Sequence, residues 1–223
     1  MKPKVNDEYK NYKQFIDNYF SVFELNKRIS DEKIKEEFEK VVVLSKVCRC
    51  LSDDEKIGNY TRNIEYNLNN ILYFMPMNEK LSINTSLRNS AEYVLKLIFY
   101  FQDTTEDFLT TGYRTLKNNK NSLSIYSNHK SQIDGIFDIY ARRSNIIHLK
   151  TYDNDSLKFI LEDKLMSEID IREISKITRD INKLTNILLE AICFYDISLA
   201  TSQKLILKKV VSNKWWKRIC QIR

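Results

Sequence analysis

The near absence of glycine and proline is the feature that most limits how this chain can fold. Among 223 residues there are only three glycines, Gly58, Gly112 and Gly135, and two prolines, Pro3 and Pro76. Tight hairpins and nucleotide-cradling loops both use glycine where the backbone takes a positive φ angle. The scarcity therefore argues against a β-sandwich, a Rossmann unit and a P-loop, and it favours long helices.

Apolar residues recur along most of the chain at the three- and four-residue spacing of a helix buried on one face. One clear stripe covers residues 82–101 and a longer one covers 171–195, while residues 118–122 and 151–156 are polar breaks. A shorter helical segment is expected at 104–117. The pattern predicts an all-α bundle of about six to eight helices with short connections. We expect more than about 60% helix and no sheet beyond a minor hairpin.

Three segments are expected along this bundle. Residues 1–58 form an N-terminal helical extension packed on the core, residues 59–200 form the core bundle, and residues 201–223 form a basic tail. Within the core bundle, 157–166 is predicted to be helical. The chain has no uncharged apolar run of about 18 residues, and no apolar stretch follows its basic amino terminus. We therefore expect neither a membrane span nor a signal peptide.

The cysteines and acidic residues bear on compartment and metal content. Cys48, Cys50, Cys193 and Cys220 do not form the two pairs typical of a zinc site, and Cys48 and Cys50 lie on an apolar segment. Reduced thiols are the expected state, which favours the cytoplasm. No carboxylate pair has metal-site spacing with a histidine, so we expect neither a metal nor another cofactor.

The segment 140–148 carries the residues best suited to chemistry. Arg142 and Arg143 precede His148, one of two histidines in the chain, so that Arg-x5-His and Arg-x4-His spacings both occur. An arginine stays charged near neutral pH, whereas a histidine gains and loses a proton there. In a shared cleft they could hold a phosphate and move the proton that phosphodiester cleavage requires. The alternative is a basic, solvated helix end whose histidine caps a carbonyl.

Helical geometry limits how the residues of this segment can meet. Tyr140, Ser144 and His148 are four apart and share one face of a helix. Arg143 and His148 are about 140° apart around an ideal helix. A common site would need a distorted helix end, long side-chain reach, or the same segment of a second subunit. A twofold dimer supplies the last arrangement.

A charged row lies on the helix predicted at 82–101. Arg88, Glu92 and Lys96 follow one another at four-residue spacing beside an apolar face. They form either a solvated ladder of ion pairs or a functional group. In the functional interpretation, Glu92 orients His148 or Arg143 across the bundle.

The tail concentrates the positive charge of the chain. No acidic residue follows Asp196, whereas seven lysines and arginines do, and the net charge of the whole chain is +6. Three interpretations stay open: contact with nucleic acid, an amphipathic helix on a membrane surface, or docking of the tryptophans on the bundle. We rank contact with RNA slightly ahead of the membrane. The residues expected to contact nucleic acid are Lys208, Lys209, Lys214, Trp215, Trp216, Lys217 and Arg218.

The bundle and its motif together resemble the HEPN superfamily of prokaryotic toxins and phage-defence proteins. The resemblance rests on residues 86–92 and on Tyr140, Ser144, Ile147 and His148, and it covers residues 60 to 200. HEPN nucleases often carry Asn, Asp or His directly after the arginine, whereas here Ser144 follows Arg143 and Asn145 comes one step later.

The resemblance implies an HEPN-like core and a metal-independent endoribonuclease that acts as a homodimer. Arg143, or Arg142, would steady the phosphate, and His148 would act as general acid and base. The substrate would be RNA, with transfer RNA as one candidate, and a regulatory or antitoxin protein is a further partner that it implies. A catalytically degenerate bundle that binds a partner protein or nucleic acid is the alternative. The supporting residues would be Tyr140, Ser144, Asn145, Arg88 and Glu92.

Overall fold

The computed structural model of the chain describes residues 3–23, 29–148 and 171–222. Within these ranges 79% of the residues are helical and none lies in a strand. The prediction of an all-α bundle is therefore confirmed. The helix predicted at 157–166 lies outside the described residues.

The described ranges contain nine α-helices, of which seven precede residue 200 and two lie in the tail. Two short 3₁₀ segments, Ser21–Phe23 and Lys120–Ser122, connect helices. The α-helices are α1 Pro3–Tyr19, α2 Asp31–Arg49, α3 Glu55–Phe74, α4 Lys80–Gln102, α5 Tyr113–Asn118, α6 Tyr126–His148, α7 Ile171–Phe194, α8 Thr201–Lys208 and α9 Asn213–Ile219.

Helix α4 is the centre of the bundle, and its sequence explains why. All eight residues from Val94 to Phe101 are buried, including Lys96. A helical stretch that is buried on every side has to be surrounded by other elements. Helices α3 and α6 make the most extensive contacts with α4, and α7 also packs against it.

The two ends of the chain are joined through α2, which packs on both α3 and α7, while α1 packs on α2. One hydrophobic core runs through the described residues from Val5 to Ile222. The segments 1–58, 59–200 and 201–222 all contribute side chains to this core. The tail is therefore part of the folded body.

The helix expected at 104–117 is much shorter than the sequence suggested. Helix α5 begins only at Tyr113, after Gly112 in an extended conformation. Two aspartates hold the preceding residues in turns: Asp103 Oδ1 accepts from the Thr105 backbone at 3.0 Å, and Asp107 Oδ1 accepts from the Leu109 backbone at 2.9 Å. Such local bonds compete with the helical hydrogen bonds of the backbone.

Two further findings concern the membrane and the cysteines. Among the described residues, none of the helices combines the length and the apolar character that crossing a membrane requires. Cys48 and Cys50 are free thiols in the core, and burial raises the pKa of Cys50 to about 11. Thiols in such surroundings are poor nucleophiles and poor metal ligands.

Candidate functional site

Helix α6 is regular through the whole motif. Its only non-helical residue is His129 near the start, at φ −128° and ψ 31°, and the backbone then stays helical to His148. The helix end is therefore not distorted in the way that a common site of Arg143 and His148 within one chain would need. The side chain of His148 lies outside the described residues.

Arg143 is buried completely, with 0% of its side chain exposed. Its Nε and Nη2 atoms donate to Asp180 Oδ2 of α7 at 3.2 and 2.7 Å. The Nη1 atom donates to Asn84 Oδ1 of α4 at 2.7 Å and also to Glu173 of α7. Four hydrogen bonds thus tie this one guanidinium to two neighbouring helices.

The surroundings of Arg143 explain how a charge can lie so deep. A guanidinium without partners would be strongly disfavoured in the core. Asp180, whose side chain is only 4% exposed, and Glu173 supply the opposite charge. An arginine that binds a phosphate from solution is expected to be open to solvent, and Arg143 is not. In this chain Arg143 holds α6 against α4 and α7.

Arg142 lies on the outer side of the same network. Its Nε donates to Asp138 Oδ2 at 2.8 Å, and its Nη2 donates to Asp180 Oδ1 at 3.1 Å. Asp180 therefore accepts from both motif arginines, one on each oxygen. The side chain of Arg142 stays 39% exposed, so it is the one of the two that a ligand in solution can reach.

A buried carboxyl group on α2 lies close to this network. Glu37 is 1% exposed, its Oε2 accepts from the Thr178 hydroxyl, and its Oε1 has no partner among the described residues. Burial raises the pKa of Glu37 to about 7, and the charge of Glu36 adds to the rise, while Thr178 and Arg143 oppose it. A cavity of about 30 Å³, enough for a single water, is lined in part by Glu37, Asn84 and Glu173.

Glu37→Gln is expected to remove a pH dependence of stability. Because the folded-state pKa lies near 7, above the ordinary 4.5, the folded chain holds this proton more tightly than the unfolded chain. The contribution of Glu37 to stability should be greatest below pH 4.5 and fall until the pH passes 7, by roughly 3 kcal/mol in all. Urea unfolding at pH 5 and pH 8 measures the change.

The matched control for Glu37→Gln is Glu39→Gln, on the less buried side of α2. The control should keep the fall in stability between the two pH values, whereas Glu37→Gln should flatten it and be the more stable protein at pH 8. Equal pH dependence in the natural chain and in Glu37→Gln would contradict this account of Glu37.

Tyr140 faces α4 and α5. Its hydroxyl accepts from Arg88 Nη2 at 2.7 Å, and its ring stacks on Tyr113 at a centroid distance of 3.7 Å. Arg88 Nε and Ser144 Oγ are buried and have no partner among the described residues. The predicted supporting residues Arg88 and Tyr140 are thus brought together, while Asn145 is exposed on α6.

Glu92 does not orient the motif arginine. Its carboxylate pairs with Lys96 at 2.9 Å along α4, and Lys96 also donates to the Leu109 carbonyl at 2.8 Å. Of the predicted ion-pair ladder, the pair of Glu92 and Lys96 is present, whereas Arg88 donates to Tyr140. Lys96 is buried at 5% exposure, so the pair lies inside the protein and anchors the loop before α5.

The tail docks on the bundle. Trp215 and Trp216 are half-buried against the core, and Ile219 is fully buried. Arg218 donates to both carboxylate oxygens of Glu190 on α7, at 2.7 and 2.6 Å, and its guanidinium lies 4.9 Å from the Trp215 ring centroid. Arg218 and the tryptophans were expected to contact nucleic acid, but these contacts commit them largely to holding the tail.

Sequence reasoning missed Asp180, Glu173 and Glu190 of α7. A usable signal was present for Glu190, which interrupts the apolar run from Leu188 to Ile192. An acid inside such a run needs a buried cation. The spacing of residues within α7 does not predict which cation pairs with Glu190, because Arg218 lies on another helix. The same holds for Asp180 and Glu173, whose partner Arg143 lies on α6.

The arrangement has two kinds of basic residue. Arg143 and Arg218 are neutralised by buried acids, whereas the tail lysines Lys209, Lys214 and Lys217 are exposed. Among the described residues, no group of three or more His, Cys, Asp and Glu side chains could hold a metal ion. Lys209, Lys214 and Lys217 are therefore basic groups of the tail that a ligand in solution can reach.

No protein-family model, curated protein or solved structure matches this chain. What the chain does must therefore be inferred from its own residues.

Proposed function

We propose that this chain is a catalytically degenerate, HEPN-like helical module that binds nucleic acid. In this proposal Arg143 has a structural role and takes no part in cleavage. The observation that carries the proposal is the set of exposed lysines on a tail that is fixed to the core. These lysines are Lys208, Lys209, Lys214 and Lys217.

The chemistry of the tail supports a phosphate-bearing partner. No acidic residue follows Asp196, so the lysines face no opposing charge within their own segment. Lysines that neutralise phosphates release bound counterions, which makes affinity for nucleic acid high at low salt. The tryptophans, which a membrane-surface helix would present to lipid, are instead half-buried against the core.

The triple substitution Lys209→Gln, Lys214→Gln and Lys217→Gln is expected to weaken RNA binding and reduce its salt dependence. For single-stranded RNA, three lost phosphate contacts should lower the slope of log affinity against log salt by about 2. The measurement is fluorescence anisotropy of labelled RNA over a series of salt concentrations. The three lysines have no partner among the described residues, so the fold should persist.

A matched triple variant tests whether position matters or only net charge. Lys56, Lys117 and Lys130 are exposed lysines on other helices, and changing all three to glutamine removes the same charge. This control should keep most of the slope. An equal loss in both variants, or a natural chain that binds anionic vesicles and not RNA, would overturn the tail as a nucleic-acid surface.

A metal-independent endoribonuclease is the second candidate, and the exposure of Arg142 favours it. Arg142 is six residues before His148 on a helix whose outer side is open, and 39% of its side chain is exposed. Arg142 would steady the phosphate and His148 would carry the proton, giving a 2′,3′-cyclic phosphate and a 5′-hydroxyl. A homodimer that pairs two copies of α6 would let both residues meet in one cleft.

His148→Ala is expected to slow RNA cleavage by about 100-fold or more if the second candidate is right. Arg142→Ala should cost a comparable factor, and chelator should leave the rate unchanged. The assay uses purified full-length chain with total RNA and transfer RNA. RNA that stays intact under these conditions removes the ribonuclease, and a strict monomer in light scattering removes the composite cleft.

A further inference from the structure

A groove of about 430 Å³ lies between α2, α7 and the connection from α8 to α9. Lys40 and Val43 of α2 form one wall, and α7 forms the other with Asn182, Asn186 and Leu189. The tail closes the groove with residues 210–212 and Trp215. Its volume falls in the range of ligand sites, which runs from about 300 to 1,000 Å³.

Most polar side chains that line this groove have no partner among the described residues, unlike the motif arginines, although Thr185 Oγ1 donates to the Ile181 carbonyl at 2.9 Å. Within the described ranges, the side chains of Lys40, Asn182, Asn186 and Ser212 make no hydrogen bond or ion pair. Four donors or acceptors that converge on one groove, with an aromatic ring beside them, are the composition of a site that recognises a polar ring.

We propose that this groove takes an unpaired nucleobase, so that the chain binds single-stranded nucleic acid in preference to duplex. This inference rests on the proposed function. Asn182 and Asn186 are four apart on α7, and each amide offers both a donor and an acceptor to a base edge. The aliphatic groups of Val43, Leu189 and Val210 suit the faces of a planar ring.

The charges around the groove match the phosphates on either side of such a base. Lys40 lies in the groove wall, and Lys209 and Lys214 directly precede the groove residues Val210 and Trp215 in sequence. Lysines that follow a backbone, together with a ring that a base can contact, are the usual elements of single-strand binding. In a duplex the bases are stacked and paired, so that none can enter a groove of this kind.

The test compares one RNA of about a dozen nucleotides, single-stranded or annealed to its complement, for binding to the full-length chain. We expect the natural chain to prefer the single strand. The double variant Asn182→Ala and Asn186→Ala should lose about tenfold in single-strand affinity, in line with the contribution of one bound base. Its duplex affinity and the lysine-dependent salt slope should not change.

A matched double variant, Asn69→Ala and Asn70→Ala, removes one exposed and one half-exposed amide from α3 and should leave both affinities unchanged. If the two forms of RNA bind equally well and the α7 variant has no effect, the groove does not bind a base. Salt-sensitive binding through the tail lysines would persist in that case, and the proposed function would stand. If neither form binds, the proposed function fails as well, and the two failures are therefore distinguishable.

Discussion

Arg143→Ala is expected to lower the free energy of unfolding by about 3–5 kcal/mol, the usual effect of removing one partner from a buried ion pair. The change leaves Asp180 and Glu173 without the guanidinium that neutralises them, and Asn84 loses a donor. Since a domain is stable by only about 5–15 kcal/mol, this loss is a large part of the total. Urea unfolding of the full-length chain measures it.

Two further variants separate a structural role of Arg143 from a role in RNA cleavage. Arg142→Ala, at a half-exposed position on the same helix, should cost about 1 kcal/mol or less. Replacing the buried pair with apolar groups, as Arg143→Met with Asp180→Leu, should recover part of the stability that Arg143→Ala loses. An Arg143→Ala protein as stable as the natural chain would show that Arg143 does not hold the helices together.

Truncation after Ser202 is expected to abolish cooperative unfolding of the remaining chain. The deletion removes four buried aliphatic side chains, those of Leu207, Val211, Ile219 and Ile222. Each large-to-small change in a core costs about 2–5 kcal/mol, so the sum rivals the whole stability of a domain. Glu190 would also lose Arg218. Thermal melting followed by far-ultraviolet circular dichroism measures the loss.

Single substitutions show whether the effect comes from the docked face of the tail. Ile219→Ala, at a fully buried position, should destabilise the chain by about 2–5 kcal/mol. Lys217→Ala, at an exposed position two residues earlier, should change stability by about 0.5 kcal/mol or less. A truncated chain that melts as sharply as the natural one, at the same temperature, would contradict the docked tail.

The fold was the more predictable half of this protein because periodicity is local. Leu87, Val94 and Ile98 belong to the apolar stripe from which a helix was predicted at 82–101, and all three are fully buried. The segment 104–117 escaped the same reasoning. There the side chains of Asp103 and Asp107 accept hydrogen bonds from nearby backbone groups, and these bonds compete with a helix. The spacing of apolar residues does not reveal such bonds.

The site was less predictable because its partners are distant in sequence. Arg143 was predicted to steady a phosphate, but it is buried, and its acceptors Asp180 and Glu173 lie 37 and 30 residues away in sequence. A pairing between two helices depends on how they cross, and spacing within one helix does not contain that information. For the same reason the pair between Arg218 and Glu190 was not predicted. Arg218 was expected to contact nucleic acid, and in the structure it makes a structural contact.

The buried hydrogen bond between α6 and α4 has a consequence for how a partner meets the segment 140–146. Helix α6 packs along α4 and is tied to it through Arg143 and Asn84, so the segment 140–146 cannot shift unless the core opens. A partner therefore encounters a surface that is already in its final shape. Little conformational entropy is lost when that surface is bound, and association should proceed at a rate set by encounter and orientation, without a slow rearrangement of the helices.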